Sequence, residues 1–389
     1  MRRLIGEIKN YEWGSTQRLA ELRGEAPSAL PEAEVWFGGH TSAPSTFEDG
    51  STLLDAVAAD PAGQLGASVT DRFGPELPFL VKLLAADGPL SIQAHPNREQ
   101  AIAGFAAEEA AGIPRDAPHR NFRDQSPKPE LISALSQFEA LVGFRPVHDT
   151  EQFFAEIGFL RLLDQLTSEG PKAVVASLLG GDRYGSHGAD ATHDLVTCCR
   201  AYSGDSWAAE AAMLLRVADA YPGDAGVAVA SLLNYVVLEP GESLFLDAGH
   251  MHAYLSGLAL EVMANSDNVL RGGLTPKHID VPMLLEIVTP ESQYPTRILT
   301  DIDGELLVPA AEFSVRRHDN PNEEKVTGPQ VIAAVHGELT ITSTSADGGL
   351  EIICPSEAVW IPHGESATVS GKGVCFSTTV GPEARLDEG

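Results

Sequence analysis

Ser91, Gln93 and His95 alternate with Ile92 and Ala94 in the stretch PLSIQAHPNREQA, and Pro96 ends the run. Residues two apart on a β-strand project to the same side, so the hydroxyl, the amide and the imidazole share one face of such a strand. Taken alone, the pattern reads as a solvated strand face. The competing reading is an interior face that presents metal ligands. Glu130 is a further candidate ligand. In DQSPKPELISAL it is set apart from other acids by Pro127, Lys128 and Pro129, and the prolines stiffen the backbone that would hold the carboxylate.

A second histidine comes from GESLFLDAGHMHAYL. Gly241, then Asp247-Ala248-Gly249, then His252 resemble the second motif of the cupin family, which carries a metal-binding histidine at this spacing. Asp247 stands where that motif has proline. The register selects His252 over His250. The resemblance implies a barrel that holds a metal between facing strands, with Gln93 and His95 on one side, His252 on the other and Glu130 as the remaining source. Two nitrogens and two oxygens carrying one negative charge suit Zn²⁺, with Mn²⁺, Fe²⁺ or Co²⁺ as substitutes, and leave the ion a good Lewis acid. A structural zinc site is more often closed by thiolates.

Cations accompany these ligands. Arg271 precedes two glycines in LRGGLTPKH, and Lys277 follows six residues later. The glycines would let the backbone approach a ligand closely; a surface turn with two solvated charges is the alternative. Lys128 shares the face of Glu130 if the segment is extended, which would place it for proton transfer near a metal.

The elements that must position these groups divide the chain in three. Up to about Pro146, short apolar runs such as LPFLVKLLAA and LSIQAHP read as buried strands, with a helix over REQAIAGFAAEEAAG stopped by Gly112. From 149 to 222 the spacing is helical: DTEQFFAEIGFLRLLDQL opens on an Asp-Thr N-cap signal and sets Phe153, Phe154, Ile157, Leu160 and Leu163 on one face. Strands return from Ser231, and 305–389 is again strand-rich, with Gly and Pro punctuation that suggests a sandwich or barrel. EPGESLFLDAG (Glu239–Gly249) and CPSEAVWIPHG (Cys354–Gly364) align without gaps, an internal echo that argues for two related β-sandwich domains. Ala367 takes the place of His252 in the second copy, so no metal site is expected there.

Composition narrows the function. The 389 residues carry 55 acidic and 26 basic groups, a net charge of −29 that repels nucleic acid and anionic lipid. An anionic substrate would then need a local cluster of Lys and Arg. The four cysteines, Cys198, Cys199, Cys354 and Cys375, lack disulfide or zinc-finger spacing. With no secretory or membrane-spanning signal, a cytoplasmic protein is expected.

The residues together are similar to type I mannose-6-phosphate isomerases, a zinc enzyme family of the cupin superfamily. The matching segments are YEWGS, EVWFGGH, GPLSIQAHPN, KPELISAL, ALVGFRP and HAYLSGLALEVMANSDNVLRGGLTPKHIDV, spread over Tyr11–Val281 in the family's order. The resemblance implies a mainly β fold with an α-helical insertion. Two cupin-like (jelly-roll) β-sandwich domains are expected: a catalytic one from 1–148 with 223–304, and a metal-free one over 305–389. The helical insertion domain spans 149–222.

It also implies one Zn²⁺ per chain held by Gln93, His95, Glu130 and His252. Arg271 is implied as the catalytic arginine, with Lys128 and Glu261 as proton-transfer candidates. Ser91, Lys277, Tyr254, Asp267 and Trp13 fall at substrate-binding positions. The implied reaction interconverts mannose 6-phosphate and fructose 6-phosphate: zinc polarises the sugar oxygens, a base moves a proton between C2 and C1, and Arg271 stabilises a cis-enediolate. A small sugar phosphate is the expected partner and a monomer the expected state. A cupin oxygenase and a non-catalytic sugar-binding cupin are the competing classes, and Gln93 together with the Lys and Arg residues weighs against both.

Overall fold

A computed structural model describes residues 1–180, 187–292, 294–345 and 348–382. The remaining parts of the expected 149–222, 223–304 and 305–389 segments lie outside the described residues. The chain folds mostly into antiparallel β-structure, one 11-stranded and one 8-stranded sheet, with helices gathered between Val147 and Ala230 and in short pieces near the N-terminus.

The spine of the larger sheet is the strand His252–Ala264, buried along nearly its whole length. Its first residues pair with Gln93–Ala94 and Phe138–Phe144; its second half pairs with Phe79–Ala86 on one side and Glu130–Ala134 on the other. The change of partners falls at Gly257, whose φ is +123° and where a Cβ would meet the Gln137 carbonyl oxygen at 2.6 Å. Only glycine allows that bend. One strand therefore delivers His252 to one part of the sheet and Glu261 to the other.

Side-chain alternation explains the Ser91–His95 stretch. Ile92 and Ala94 are fully buried and belong to the apolar cluster that also holds Phe153, Phe154, Leu195 and Leu214 of the helical segment. The Ile92 side chain contributes about 1.5–3 kcal/mol by leaving water, the single methyl of Ala94 about 0.8 kcal/mol. That packing fixes the strand's register and turns Ser91 and Gln93 to the opposite, polar side. The regular ladder itself is short, covering only Gln93–Ala94.

The helices differ in detail from the sequence expectation. The first begins at Val147 directly after Pro146, so Asp149 lies in its first turn rather than capping it. It ends at Ile157, because Gly158 adopts a left-handed conformation. Phe153, Phe154 and Ile157 are buried as expected, whereas Leu160 falls past the break and is 61 % exposed. The helix expected from REQAIAG runs Arg98–Ala110, with an Asn97–Gln100 capping box, and Gly112 follows with positive φ.

The 8-stranded sheet contains Ser314–Asp319, Gln330–Ser343, Ala358–Ile361 and Ser366–Thr379. It also takes in Arg2–Leu4, which pairs with Ala358–Trp360. The first strand of the chain thus joins the C-terminal sheet, a long-range pairing with no local sequence signal. The two sheets bury a shared apolar layer that includes Phe37, Phe79 and Val81 from one and Val315, Val331, Trp360 and Phe376 from the other.

The internal echo extends to hydrogen bonding. The Gly241 N–H donates to the Ala134 carbonyl and the Ala134 N–H to the Glu242 carbonyl; the Ser356 N–H donates to Ala334 and the Ala334 N–H to Glu357. In both copies the glutamate caps its own turn, Glu242 accepting from the Glu239 N–H and Glu357 from the Cys354 N–H, each at 2.8 Å. Ala367 is fully buried among Ile332, Ile341, Ile353 and Val369, an apolar setting where the first copy has His252.

Candidate metal centre

His95, Glu130 and His252 are all buried, and their ligand atoms lie within 4.8 Å of one another. His95 Nε2 is 3.3 Å from Glu130 Oε1 and His252 Nε2 is 3.3 Å from Glu130 Oε2. Each ring has its Nδ1 against a backbone carbonyl, His95 at 2.8 Å from Asn268 O and His252 at 3.0 Å from His250 O. Nδ1 therefore carries the proton, and the Nε2 lone pairs turn toward the carboxylate. His95 Nε2 makes no hydrogen bond although it is buried. Two lone pairs and a carboxylate converging on one point repel one another unless a cation lies among them. Among the described residues this is the one such cluster, and its chemistry fits a divalent metal.

Electrostatics keeps the ligands in their binding forms. Burial, with Lys128 adding to it, pushes the His95 imidazole down to about 4, so it stays neutral. Burial pushes the Glu130 carboxyl up, but Lys128 at 3.0 Å and the two histidines outweigh it and hold the carboxyl well below its ordinary range. Gln93 stands directly opposite His252 on one side and Arg271 on the other. Directly opposed residues share a face, so the amide is flanked by the imidazole and the guanidinium.

These groups line a cavity of about 500 Å³ that also receives Trp13, Ser91, Lys128, Tyr254, Glu261, Asp267, Arg271 and Lys277. Of the proposed ligand, catalytic and substrate-binding residues only His95 is absent from the cavity wall; its Nε2 is 3.3 Å from Glu130 Oε1. The floor carries a charge array that the sequence reading missed. Lys82 Nζ is 2.9 Å from Glu261 Oε2 and 3.5 Å from Glu34 Oε1, and the Trp36 indole N–H donates to Glu34 Oε2 at 2.9 Å. Lys82 opposes Glu261 across one strand pair and Trp36 across the next. Burial works against its charge, but the surrounding carboxylates raise its pKa above the usual lysine range. Burial raises the Glu261 carboxyl despite Lys82. A lone lysine in the otherwise apolar run FLVKLLAA was the available signal, since a buried cation demands partners.

The rim is cationic. Arg271, half-buried, forms no ion pair among the described residues, and its pKa is lowered by burial and by Arg123. Lys277 is likewise lowered by burial, then by Arg271 and Arg123. The glycines after Arg271 allow close packing within the protein. Gly273 (φ +125°) would place a Cβ 2.3 Å from Gly226 Cα, and Asp224 accepts from the Leu274 and Thr275 N–H groups. The end of the helical segment thus clasps the loop carrying Lys277, and its Tyr221 forms part of the cavity wall.

Two further supports escaped the sequence. His40 Nδ1 accepts from the Ser42 N–H, which leaves Nε2 as donor to Asp267 Oδ1 at 3.2 Å; this bond lowers the Asp267 carboxyl. Asn268 accepts from the Arg123 and Asp124 N–H groups and donates to the Asp124 and Ser126 carbonyls. The loop before Glu130 is therefore tied to the residue whose carbonyl orients His95. The Tyr254 hydroxyl is buried without a hydrogen-bond partner and its pKa is raised, first by burial and then by Glu261 and Glu130.

Fold and site together define a β-sheet enzyme with a mononuclear His/carboxylate metal centre beneath a cationic rim. Residues 1–147 match the family model for the type I phosphomannose isomerase catalytic domain. The mannose-6-phosphate isomerase of Escherichia coli (strain K12) is 38 % identical over 96 % of this chain and 98 % of its own, and that of Arabidopsis thaliana, isoform 1, is 34 % identical over 90 % and 87 %. A crystal structure of zinc-bound mannose 6-phosphate isomerase superposes with a TM-score of 0.87 at 36 % identity, covering 98 % of this chain and 99 % of that one. A mutant of phosphomannose isomerase from Salmonella typhimurium gives 0.88 at 36 % identity, covering 98 % and 100 %. The chain belongs to the type I mannose-6-phosphate isomerase family.

Proposed function

We propose that the chain is a zinc-dependent aldose–ketose isomerase that interconverts D-mannose 6-phosphate and D-fructose 6-phosphate. The observation that carries this reading is the convergence of two imidazole lone pairs and a carboxylate on one point inside a cavity rimmed by Arg271 and Lys277. Gln93, His95, Glu130 and His252 are the proposed ligands of one zinc, which when bound supplies the Lewis acidity that polarises the sugar oxygens.

The side chains divide the remaining work. Lys277 and Ser91 take the phosphate, within the local cation cluster that a chain of net charge −29 requires. Asp267, kept ionised by His40, accepts from a sugar hydroxyl, and the Tyr254 hydroxyl donates to one. A proton then moves between C2 and C1. Glu261, whose carboxyl is raised by burial, and Lys128 are the two groups placed to hold it. Arg271 meets the negative charge that develops on the cis-enediol oxygens. Trp13 closes one side of the cavity against water.

The same reading divides the molecule into a catalytic cupin domain (1–148 with 223–304), a helical insertion (149–222) and a metal-free cupin-like sandwich (305–389). The paired turns at Glu242 and Glu357 support a duplicated sandwich. A monomer is the proposed state. No helix among the described residues is long and apolar enough to cross a membrane, and the four cysteines are free, which supports a cytoplasmic setting. A coupled assay of fructose 6-phosphate formation tests the activity. Purified protein should isomerise mannose 6-phosphate, lose the activity on chelation and regain it with zinc; no turnover by protein loaded with one zinc would refute the reading.

A further inference from the structure

The C-terminal sandwich carries a polar cup of its own. Ser314, Thr379 and Gln330 are directly opposed across three strands; Arg316 and Ser377 occupy the next row inward, and His318 and Cys375 the row below. Opposed residues share a face, and here that face leads down to the apolar Ile332, Ala334 and Cys375. Together with Glu305, Lys325 and Thr327 the upper rows line a cavity of about 270 Å³.

The polar groups in the cup are unequally satisfied. The fully buried His318 ring has Nδ1 2.6 Å from Glu324 Oε2 and Nε2 2.8 Å from Ser377 Oγ. The carboxylate fixes the proton on Nδ1, so Nε2 accepts the Ser377 O–H and the serine's lone pairs turn to the cavity. Gln330 Oε1 is buried with no donor. Glu305 accepts from the Ser314 hydroxyl at 3.1 Å. Arg316 faces Glu305 in register yet makes no hydrogen bond or ion pair among the described residues, and neither does Lys325. Two cations without partners and two oxygen acceptors without donors surround one small space.

We propose that this cup is a second ligand site that takes a small polyhydroxylated anion of the sugar-phosphate class. The guanidinium of Arg316 and the ammonium of Lys325 at the rim receive the anionic group. Ser377 Oγ and Gln330 Oε1 accept from the ligand's hydroxyls. A bare anion would leave those acceptors unmet, and a neutral polyol would leave the cations unmet. The site lies in a different sheet from the metal centre and shares no residue with it, so it stands whether or not the isomerase reading does.

Isothermal titration of the full chain with sorbitol 6-phosphate, a polyol phosphate that cannot isomerise, tests the proposal. Two molecules should bind per wild-type chain. R316A and, separately, S377A should weaken one of the two by about tenfold or more, while turnover of mannose 6-phosphate stays unchanged in both; the melting temperature stays unchanged in R316A and falls in S377A, which leaves the buried His318 Nε2 without its partner. K277A should weaken the other. R316K serves as a second variant should R316A fold poorly, because Lys keeps the charge but not the fork and should restore binding only in part. One molecule per wild-type chain whose affinity R316A leaves unaltered, or two in R316A with unaltered affinities, would overturn the site. Inorganic phosphate binding the cup as tightly as sorbitol 6-phosphate would overturn the hydroxyl recognition.

Discussion

Gln93 and His252 are directly opposed across an antiparallel strand pair, so an amide and an imidazole from residues far apart in sequence face the same point. Arg271 opposes Gln93 from the other side. This three-strand row is the frame of the site, and Ile92 and Ala94, buried in the apolar core shared with the helical segment, hold its middle member in register.

Removing the arginine from that row should act on the transition state more than on binding. Arg271→Lys keeps a positive charge but loses the planar fork. Steady-state kinetics should show kcat lowered by about 10²-fold or more, with KM changed far less. Wild-type kcat in this variant would remove Arg271 from the reaction.

Lys82 joins two buried carboxylates, Glu34 and Glu261, and neither can stay charged and unpaired at little cost. Lys82→Met should destabilise the fold by about 3–5 kcal/mol in denaturant titrations and abolish turnover. Adding Glu34→Gln and Glu261→Gln to that variant should recover most of the stability and none of the activity. Stability lost to the same extent in the triple variant would point to packing of the lysine stem instead.

Asn268 acts at one remove, through the carbonyl that receives the His95 Nδ1–H and through its clip on the loop before Glu130. Asn268→Ala should lower zinc affinity about 10–100-fold in competition with a chromophoric chelator. Activity at saturating zinc should return in large part. An unchanged zinc affinity would make the clip purely structural.

Burial of neutral His95 ties the stability of the zinc-free protein to pH. Its folded-state value is about 4, below the value of about 6.5 for an exposed imidazole. The unfolded chain therefore takes up the proton first. The stability due to this group is present above about pH 6.5 and is lost as pH falls toward 4, up to ~3 kcal/mol. In urea titrations across that range zinc-free wild type should lose up to ~3 kcal/mol relative to His95→Gln as pH falls; parallel curves would contradict the assignment.

Alternation, spacing and turn residues are local, and they exposed the strands, the helical segment, the four candidate ligands and the cations Lys128, Arg271 and Lys277; Trp13, Tyr254, Glu261 and Asp267 were legible only through the resemblance to the family. Lys82, Glu34 and His40 were harder to see. Their role depends on which strands lie side by side, and Lys82 opposes Glu261 only after Phe79–Ala86 pairs with the far half of His252–Ala264. The first strand, Arg2–Leu4, shows the same limit: nothing near it in sequence announces a partner at Ala358–Trp360. Leu160 fails for a local reason, since the left-handed turn at Gly158 interrupts a periodicity that otherwise continues.

X-ray absorption at the zinc K-edge tests the central claim most directly. Zinc-loaded wild type should show a first shell of nitrogen and oxygen at about 2.0–2.2 Å, with two imidazoles in the outer-shell scattering and no sulfur. His252→Ala should remove one imidazole. A sulfur shell near 2.3 Å, or a spectrum unchanged in His252→Ala, would place the zinc elsewhere and contradict the account.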